Sequence, residues 1–275
     1  MKTYLVIIIS FFVVPASAQY YYKDIVGTKE TSELIRQYMN NKVSRVQLTS
    51  YDVNNTKNDK FYVEQVFTPQ FLKTITRSGD EDPSNFISFI NNQGQVIKTV
   101  DSSDAFIATT LYTYNPGGSL TSIHSTSSDS SRTFVQTEEH KWEYNGAEIS
   151  RMLRIKNGTD TSFVQFKRDE RGNISEETVR RKGVVSEPVY YYYNAENRLT
   201  DIVRFNTKVK RLLPEYMFEY SPAGQVIQRI TVPANNSDYL IWRYQYDATG
   251  LKIREAIYTK QKQLTGKIEY VYQKG

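Results

Sequence analysis

The stretch YQYDATG at residues 244–250 decides the fold of this chain. Its two tyrosines are one residue apart and therefore share a face of an extended strand, because side chains alternate in β-structure. The four residues after them are typical of a tight turn, since aspartate bonds to the turn's own backbone and glycine tolerates a left-handed conformation. An aromatic-x-aromatic strand that runs into such a turn predicts one arm of a β-hairpin.

The same pattern recurs along the chain at a regular spacing. Clear copies run into turns at residues 115–118, 194–197 and 221–224, with Asn197 in the glycine position of the second. With weaker copies included, the aromatic strands end at positions 90, 114, 144, 168, 193, 220, 246 and 272, which are 24 to 30 residues apart. The structural anchors of the repeat are predicted to be Tyr114, Tyr144, Tyr193, Tyr220, Tyr246 and Tyr272 on the strands, and Gly94, Gly118, Gly172, Gly224 and Gly250 in the turns.

Tandem hairpins of this kind predict an all-β fold. Aliphatic residues recur four apart after each turn, as Val96 and Val100 or Ile253 and Ile257 do, and are expected to share the core face. The result is a long antiparallel meander of roughly 14 to 16 strands, and sheets of that length do not stay flat. Because twist accumulates at about 20–25° per strand pair, we expect a strongly coiled sheet or a partial barrel with tyrosines on its concave side.

The N-terminal part of the chain follows different rules. Residues 1–18 read as a signal peptide, with Lys2, an apolar run and a small-x-small site that predicts cleavage after Ala18. The alternative is an uncleaved N-terminal anchor. Apolar residues at helical spacing over 31–41 predict one short amphipathic helix that plugs one end of the sheet. The chain then divides into the signal peptide (1–18), the helix and first strands (19–85) and the hairpin repeats (86–275), which continue the preceding segment.

The repeat resembles the tyrosine-aspartate (YD) repeat of the RHS family, with residues 244–250 as the best match. In that family such repeats wind β-hairpins into a spiral shell, which can enclose a toxin domain or form part of an adhesion receptor. The resemblance extends over about residues 86–275. The chain is far shorter than a closed shell needs, and the arginine that usually follows the turn glycine occurs only as Arg198. The resemblance therefore implies a small exported relative with the hairpin architecture.

Composition and charge exclude several classes of function. The net charge of +5 comes from lysines and arginines scattered among the acids, whereas a nucleic-acid-binding protein should show a basic patch or stripe. The short run Arg180-Arg181-Lys182 is best explained as a solvated hairpin end. No segment after the signal peptide is apolar enough to cross a membrane as a helix. With no cysteine, an exported chain has no disulfides, so its stability depends on packing and backbone pairing.

No residue pattern in the sequence predicts catalysis, a metal or a cofactor. His124 and His140 have no partner at metal-ligand spacing and are expected to be satisfied or solvated. The acid pairs at 138–139 and 176–177 are adjacent, so on a strand their members point to opposite faces. Asp80 and Asp82 suit either a solvated acidic loop or a calcium site. The sequence leaves open whether carboxylates from distant repeats meet in the fold.

One aromatic cluster is a candidate for binding. Four consecutive tyrosines put Tyr190 and Tyr192 on the otherwise polar face of their strand. Exposed rings of this kind can stack on sugars or anchor a partner. The alternative is a pair that packs across neighbouring strands.

These features favour a non-catalytic exported interaction or scaffold protein of the bacterial periplasm or cell surface, with a surface protein or polysaccharide as its partner. One alternative is a carrier that holds a lipid or other hydrophobic ligand in the concave side of the sheet. Another is a glycan-binding or glycan-active protein. An outer-membrane barrel is disfavoured because charged residues such as Arg151 and Asp201 fall on the face that lipid would touch.

Overall fold

A computed structural model describes residues 19–79, 83–103, 106–129, 131, 133–207, 209–233 and 238–275. The predicted signal peptide and the acidic pair Asp80 and Asp82 lie outside these residues. One helical segment leads into the sheet: a π-helical stretch, Tyr21–Val26, continues directly into α1, Gly27–Asn40. The single N-terminal helix is therefore confirmed, although it begins at Tyr21 rather than Thr31. Residues 21–40 are called the plug helix below.

All remaining regular structure within the described residues is antiparallel sheet. The N-terminal strands are β1 (Val43–Tyr51), β2 (Lys57–Thr68) and β3 (Phe71–Ser78). The repeats form β4 (Ser84–Ile90), β5 (Val96–Ser102), β6 (Phe106–Tyr114), β7 (Leu120–Asp129), β8 (Val135–Asn145), β9 (Glu148–Lys156), β10 (Asp160–Arg168), β11 (Ile174–Arg181), β12 (Val184–Val185), β13 (Val189–Tyr193), β14 (Leu199–Asn206), β15 (Arg211–Tyr220), β16 (Val226–Thr231), β17 (Leu240–Tyr246), β18 (Lys252–Thr259) and β19 (Leu264–Lys274).

The sheet closes on itself. Each strand pairs with the next, except that β13 pairs with β11 rather than with β12, and the last strand pairs with the first, with Leu48 opposite Tyr270 and Val46 opposite Tyr272. Because β12 and β13 both pair with β11, the ring has eighteen positions. The expectation of an open coiled sheet or partial barrel was therefore wrong. The N-terminal strands β1–β3 complete the circle, and closure leaves no edge strand with unpaired backbone groups.

A register shift follows nearly every repeat turn and changes which residues face inward. In the hairpin of β17 and β18, Tyr246 lies opposite Lys252 whereas Gln245 lies opposite Arg254, so Ile253 forms a β-bulge. Inward side chains are consequently three residues apart after the turn, as Leu199 and Ile202 are. The prediction that aliphatic residues four apart share the core face was wrong, because a bulge inserts one residue and reverses the alternation beyond it.

The turns themselves have the geometry that their residues favour. The five anchor glycines have φ between 74° and 86°, and Asn197 takes the same left-handed position with φ of 57°. The first turn residue accepts backbone hydrogen bonds through its side chain, as Asp247 does from the N–H of Leu251 at 3.0 Å. Neighbouring turns are also joined, since Gln95 donates to the carbonyl of Gly118 at 2.9 Å. These bonds order one end of the barrel, which we call the repeat-turn end.

Each anchor tyrosine bonds to the backbone of the preceding hairpin. The hydroxyl of Tyr144 donates to the carbonyl oxygen of Leu120 at 2.7 Å. Arg168 occupies the equivalent position in its own strand, and its guanidinium donates to the carbonyl of Ile149 at 2.9 Å. The other hydroxyls do the same over 2.6–2.8 Å, from Tyr114 to Val96, Tyr193 to Ile174, Tyr220 to Leu199, Tyr246 to Val226 and Tyr272 to Lys252.

We expect Tyr144→Phe to lower the free energy of unfolding by about 1 kcal/mol, because it leaves a carbonyl without its donor while keeping the ring. Burial raises the pKa of Tyr144 to about 12, so the hydroxyl is a donor throughout the neutral range. Urea unfolding followed by circular dichroism measures the loss. Tyr192→Phe, at a ring exposed on the outer face, is the matched control and should change nothing measurable. Equal effects in both variants would contradict a structural role for the bond.

The interior is filled largely by the plug helix. Ile35 and Tyr38 pack against β1, β2 and β19, while Tyr22 packs against β13 to β15. Tyr21 and Ile25 pack on Trp142 and its neighbours on β7 to β10. The helix thus lies across the lumen and contacts several sides of the wall. The outer face carries ion pairs instead, among them Arg151 with Glu143 and Lys167 with Glu176, both at 2.7 Å.

Candidate functional site

The plug helix begins at a buried carboxylate on the wall. Glu177 of β11 is 1% exposed and faces the lumen. Its two oxygens accept hydrogen bonds from the backbone N–H groups of Tyr20 and Tyr21, each at 3.0 Å, and from the hydroxyl of Tyr191 at 2.9 Å. The first N–H groups of a helix have no partner within the helix, and negative charge is favourable there. Burial raises the pKa of Glu177, while these three donors oppose the rise.

A second carboxylate holds the residue before the helix. Gln19 is buried, and its side-chain amide donates to Glu215 of β15 at 2.5 Å. Arg204 of β14 pairs with the same carboxylate oxygen at 2.7 Å. The start of the described chain is therefore fixed within the barrel by acids from two strands, Glu177 of β11 and Glu215 of β15.

The helix is also linked to the wall through a chain of charged groups. Nδ1 of His140 lies 2.6 Å from Oδ2 of Asp24 on the plug helix, and Nε2 of His140 lies 2.9 Å from Oε1 of Glu138. Arg154 donates to both oxygens of Glu138, at 2.9 and 2.7 Å. The indole N–H of Trp142 donates to Asp24 at 3.2 Å. With a carboxylate at each ring nitrogen, His140 is doubly protonated, because each nitrogen must donate.

The pKa values agree with this arrangement. Burial alone would lower the pKa of His140, but the charges and hydrogen bonds of Asp24 and Glu138 outweigh it and raise the pKa to about 9. Burial would raise the pKa of Glu138, whereas His140 and Arg154 together lower it to about 2. At neutral pH His140, Glu138 and Arg154 are therefore all ionised.

This chain of charges is poorly suited to catalysis. A general base needs a free nitrogen or oxygen, and both nitrogens of His140 are engaged. A glycosidase acid needs a raised pKa so that it carries a proton at working pH, and the pKa of Glu138 is lowered instead. Among the described residues, no three histidine or acid side chains form a metal-ligand set. What the groups can do is hold the plug helix in one position.

A chamber lined by apolar and hydroxyl groups lies beside the network. A cavity of about 290 Å³ between the plug helix and strands β4 to β8 lies next to a second of about 190 Å³, since Ile123, Ser125 and His140 line both. The lining of the larger cavity is mostly apolar, and hydroxyl groups enter the two cavities from Ser88, Thr99, Thr110, Ser125 and Ser127. Such a chamber suits water or a small hydroxylated molecule.

A wider opening lies at the repeat-turn end. It has a volume of about 560 Å³ and lies between the plug helix and the turns that hold Gly118 and Gly172. Its cations include Arg168 and Arg171, which already donate to backbone carbonyls of Ile149 and Asn194. These two cations of the opening therefore already bond to the backbone of neighbouring hairpins.

The structure places the residues singled out from the sequence in two separate regions. Tyr190 and Tyr192 lie on the outer face, opposite Val203 and Asp201 of β14, and 48% of Tyr192 is exposed. His124 is exposed on the same face of the wall as these tyrosines. The anchor tyrosines face the lumen instead, so the structure does not bring the two groups together.

The lumen residues were missed by sequence reasoning. Glu138 and His140 are two residues apart on β8, and that spacing does indicate a shared face. Nothing local indicates Asp24, which is 116 residues away from His140 in the chain. Glu177 was considered only as a partner of Glu176, and no local signal indicated that its side of the strand would be buried in the lumen.

None of the helices within the described residues is both long and apolar enough to cross a membrane. No protein-family model matches the chain, and no curated protein matches its sequence.

Three solved structures are similar to most of this chain. A porin-like protein from Bacteroides uniformis has a TM-score of 0.41 and 9% identity, over 85% of this chain and 97% of that one. The Photorhabdus luminescens Tc holotoxin pore, with a mutated TccC3, has a TM-score of 0.31 and 11% identity over 82% of this chain. The TcdB2–TccC3–Cdc42 structure has a TM-score of 0.32 and 13% identity, also over 82% of this chain. This chain spans only 15% and 16% of those two toxin chains, and at such scores the similarities carry no functional argument.

Proposed function

We propose that this protein is a non-catalytic exported interaction or scaffold protein of the bacterial periplasm or cell surface, and a small relative of the YD-repeat proteins. One observation supports the proposal most strongly: the charged groups of the lumen bond to the chain's own plug helix. Glu177 accepts its first N–H groups, and His140 is held between Asp24 and Glu138. A barrel fixed in this way is a rigid body that offers its outer surface to a partner.

The chamber beside the network favours a second candidate, which is the binding of a small glycan fragment. Its hydroxyl groups can exchange hydrogen bonds with a sugar, and the ring of Tyr112 can stack on one.

The purified protein tests the proposal directly. We expect no hydrolysis of glycosides and saturable binding to the envelope polysaccharide or protein fraction. Native mass spectrometry should show the chain from Gln19 without a bound lipid. Hydrolysis that disappears in Glu138→Gln and persists in Glu139→Gln, its neighbour on the outer face, would instead establish a glycan-active enzyme.

A further inference from the structure

Most of the large apolar side chains that stay exposed lie at one end of the barrel. This far end is opposite the repeat-turn end and carries the hairpin turns β11–β12 and β14–β15. Val184 is 72% exposed and Val209 is 52% exposed, although both are apolar. Exposed apolar groups gathered at one place mark an interaction surface far more often than single ones do. The same end also exposes Phe106, Ile107, Phe134 and Val135 on β6 and beside β8.

Strand pairing joins these side chains into one surface. Phe163 lies opposite Arg180, which in turn lies opposite Val185. One hairpin further along the wall, Phe205 lies opposite Leu212. The two hairpins are neighbours because β13 pairs with both β11 and β14. We call this surface the rim patch, and its apolar members are Phe163, Val184, Val185, Phe205, Val209 and Leu212.

The rim patch is positively charged. Lys182 and Lys210 stand at the tips of the two hairpins, where each has a positive φ, and Arg180 and Arg211 flank them. Within the described chain none of these four cations forms an ion pair. Arg181 is neutralised by Asp160 at 2.5 Å, and Glu187 is the other carboxylate close by in sequence. The sequence suggested that the run at 180–182 is a solvated hairpin end, and the fold adds a second basic tip beside it.

We propose that the rim patch binds the surface of an anionic phospholipid bilayer. Apolar side chains at the tips of hairpins can enter the interface between headgroups and acyl chains, while lysines and arginines around them attract anionic headgroups. The wall below the patch carries ion pairs such as Lys167 with Glu176, so the barrel itself stays in water. This inference rests on the proposed scaffold role and names its partner as a lipid surface, which would fix the barrel with its far end towards the membrane.

Sedimentation with sucrose-loaded vesicles tests the inference on the full mature chain. We expect binding to vesicles of phosphatidylglycerol and phosphatidylcholine, little binding to phosphatidylcholine alone, and loss of binding as salt is added. The variant Lys182→Gln/Lys210→Gln/Arg211→Gln should bind about a hundredfold more weakly. Lys57→Gln/Lys60→Gln/Lys262→Gln removes the same charge from the same end, on β2 and in the turn between β18 and β19, and it should bind nearly as well as the wild type.

A second variant separates the apolar contribution. Val184→Ser/Val209→Ser should weaken binding about tenfold or more, whereas Val271→Ser, which alters an exposed valine on β19, should not. Circular dichroism must show that each variant is folded. Equal binding by the patch variants and their controls overturns the inference. Failure of the wild-type protein to bind anionic vesicles overturns it as well. In either case, saturable binding to an envelope protein or polysaccharide would leave the scaffold role standing, whereas glycoside turnover would remove that role itself.

Discussion

Glu177→Ala is expected to lower the free energy of unfolding by about 4 kcal/mol, because it leaves three buried donors without an acceptor. These donors are the N–H groups of Tyr20 and Tyr21 and the hydroxyl of Tyr191. Since the first two begin the plug helix, the helix should also exchange its amide hydrogens faster. Urea unfolding gives the free energy, and hydrogen exchange measured by mass spectrometry locates the loosened segment.

Glu176→Ala is the matched control for this change. The two glutamates are adjacent on β11, but Glu176 points outward and pairs with Lys167 at 2.7 Å. An ion pair between exposed groups contributes about 1 kcal/mol or less, so the control should unfold close to the wild type. A large loss in both variants would mean that β11 itself is fragile, and the role given to Glu177 would then be wrong.

The stability of the protein should fall by about 3 kcal/mol between pH 6 and pH 9.5 through His140 alone. Its pKa in the folded state is raised to about 9 from an ordinary value near 6.5. A raised pKa means that the folded state holds the proton more tightly. The stabilisation is therefore complete below pH 6.5 and is lost as pH rises through 9. Glu138 acts at acidic pH, because its pKa in the folded state is lowered to about 2. Its carboxylate stabilises the fold fully above pH 4.5, and that contribution is lost as pH falls through 2.

The second histidine provides the control for this pH dependence. His140→Gln removes one of the groups that titrate in this range, so the free energy of unfolding should change less across pH 6 to 9.5 than in the wild type. Glu30, whose pKa burial raises to about 7, titrates equally in all variants. His124→Gln, at an exposed position on the outer face, should keep the wild-type slope. Buried tyrosines such as Tyr20, with a pKa of about 12, titrate above this range. Identical slopes in the two variants would show that the salt-bridged imidazolium does not exist.

Local sequence was a good guide to the turns. Each turn has Asn, Asp or Ser at its first position and Gly or Asn where φ is positive, as at Asn197 and Gly250. The alternation of rings and polar residues also placed Tyr144 and its equivalents on the lumen side. The bulge after each turn escaped prediction, because Ile253 and Ile257 look equivalent in a sequence with a period of two. Only the pairing of Tyr246 with Lys252 shows that they are not.

The candidate site could not be predicted from local sequence either. Asp24 and His140 belong to segments 116 residues apart, and Tyr20 and Glu177 to segments 157 apart. No local pattern connects such positions, since they meet only when the ring has closed around the helix. The rim patch likewise combines the tips near Lys182 and Lys210, which neighbouring hairpins bring together.

The sequence by itself determined the hairpin as the unit of structure, its turn chemistry, and the ring-lined face of the wall. These depend on backbone preferences and side-chain alternation within a few residues. The tertiary structure alone decided that the sheet closes, that the N-terminal helix begins at Tyr21, and that buried acids of distant strands bind that helix. Closure depends on twist summed over all strands, and the charges of the lumen depend on which side chains then face one another.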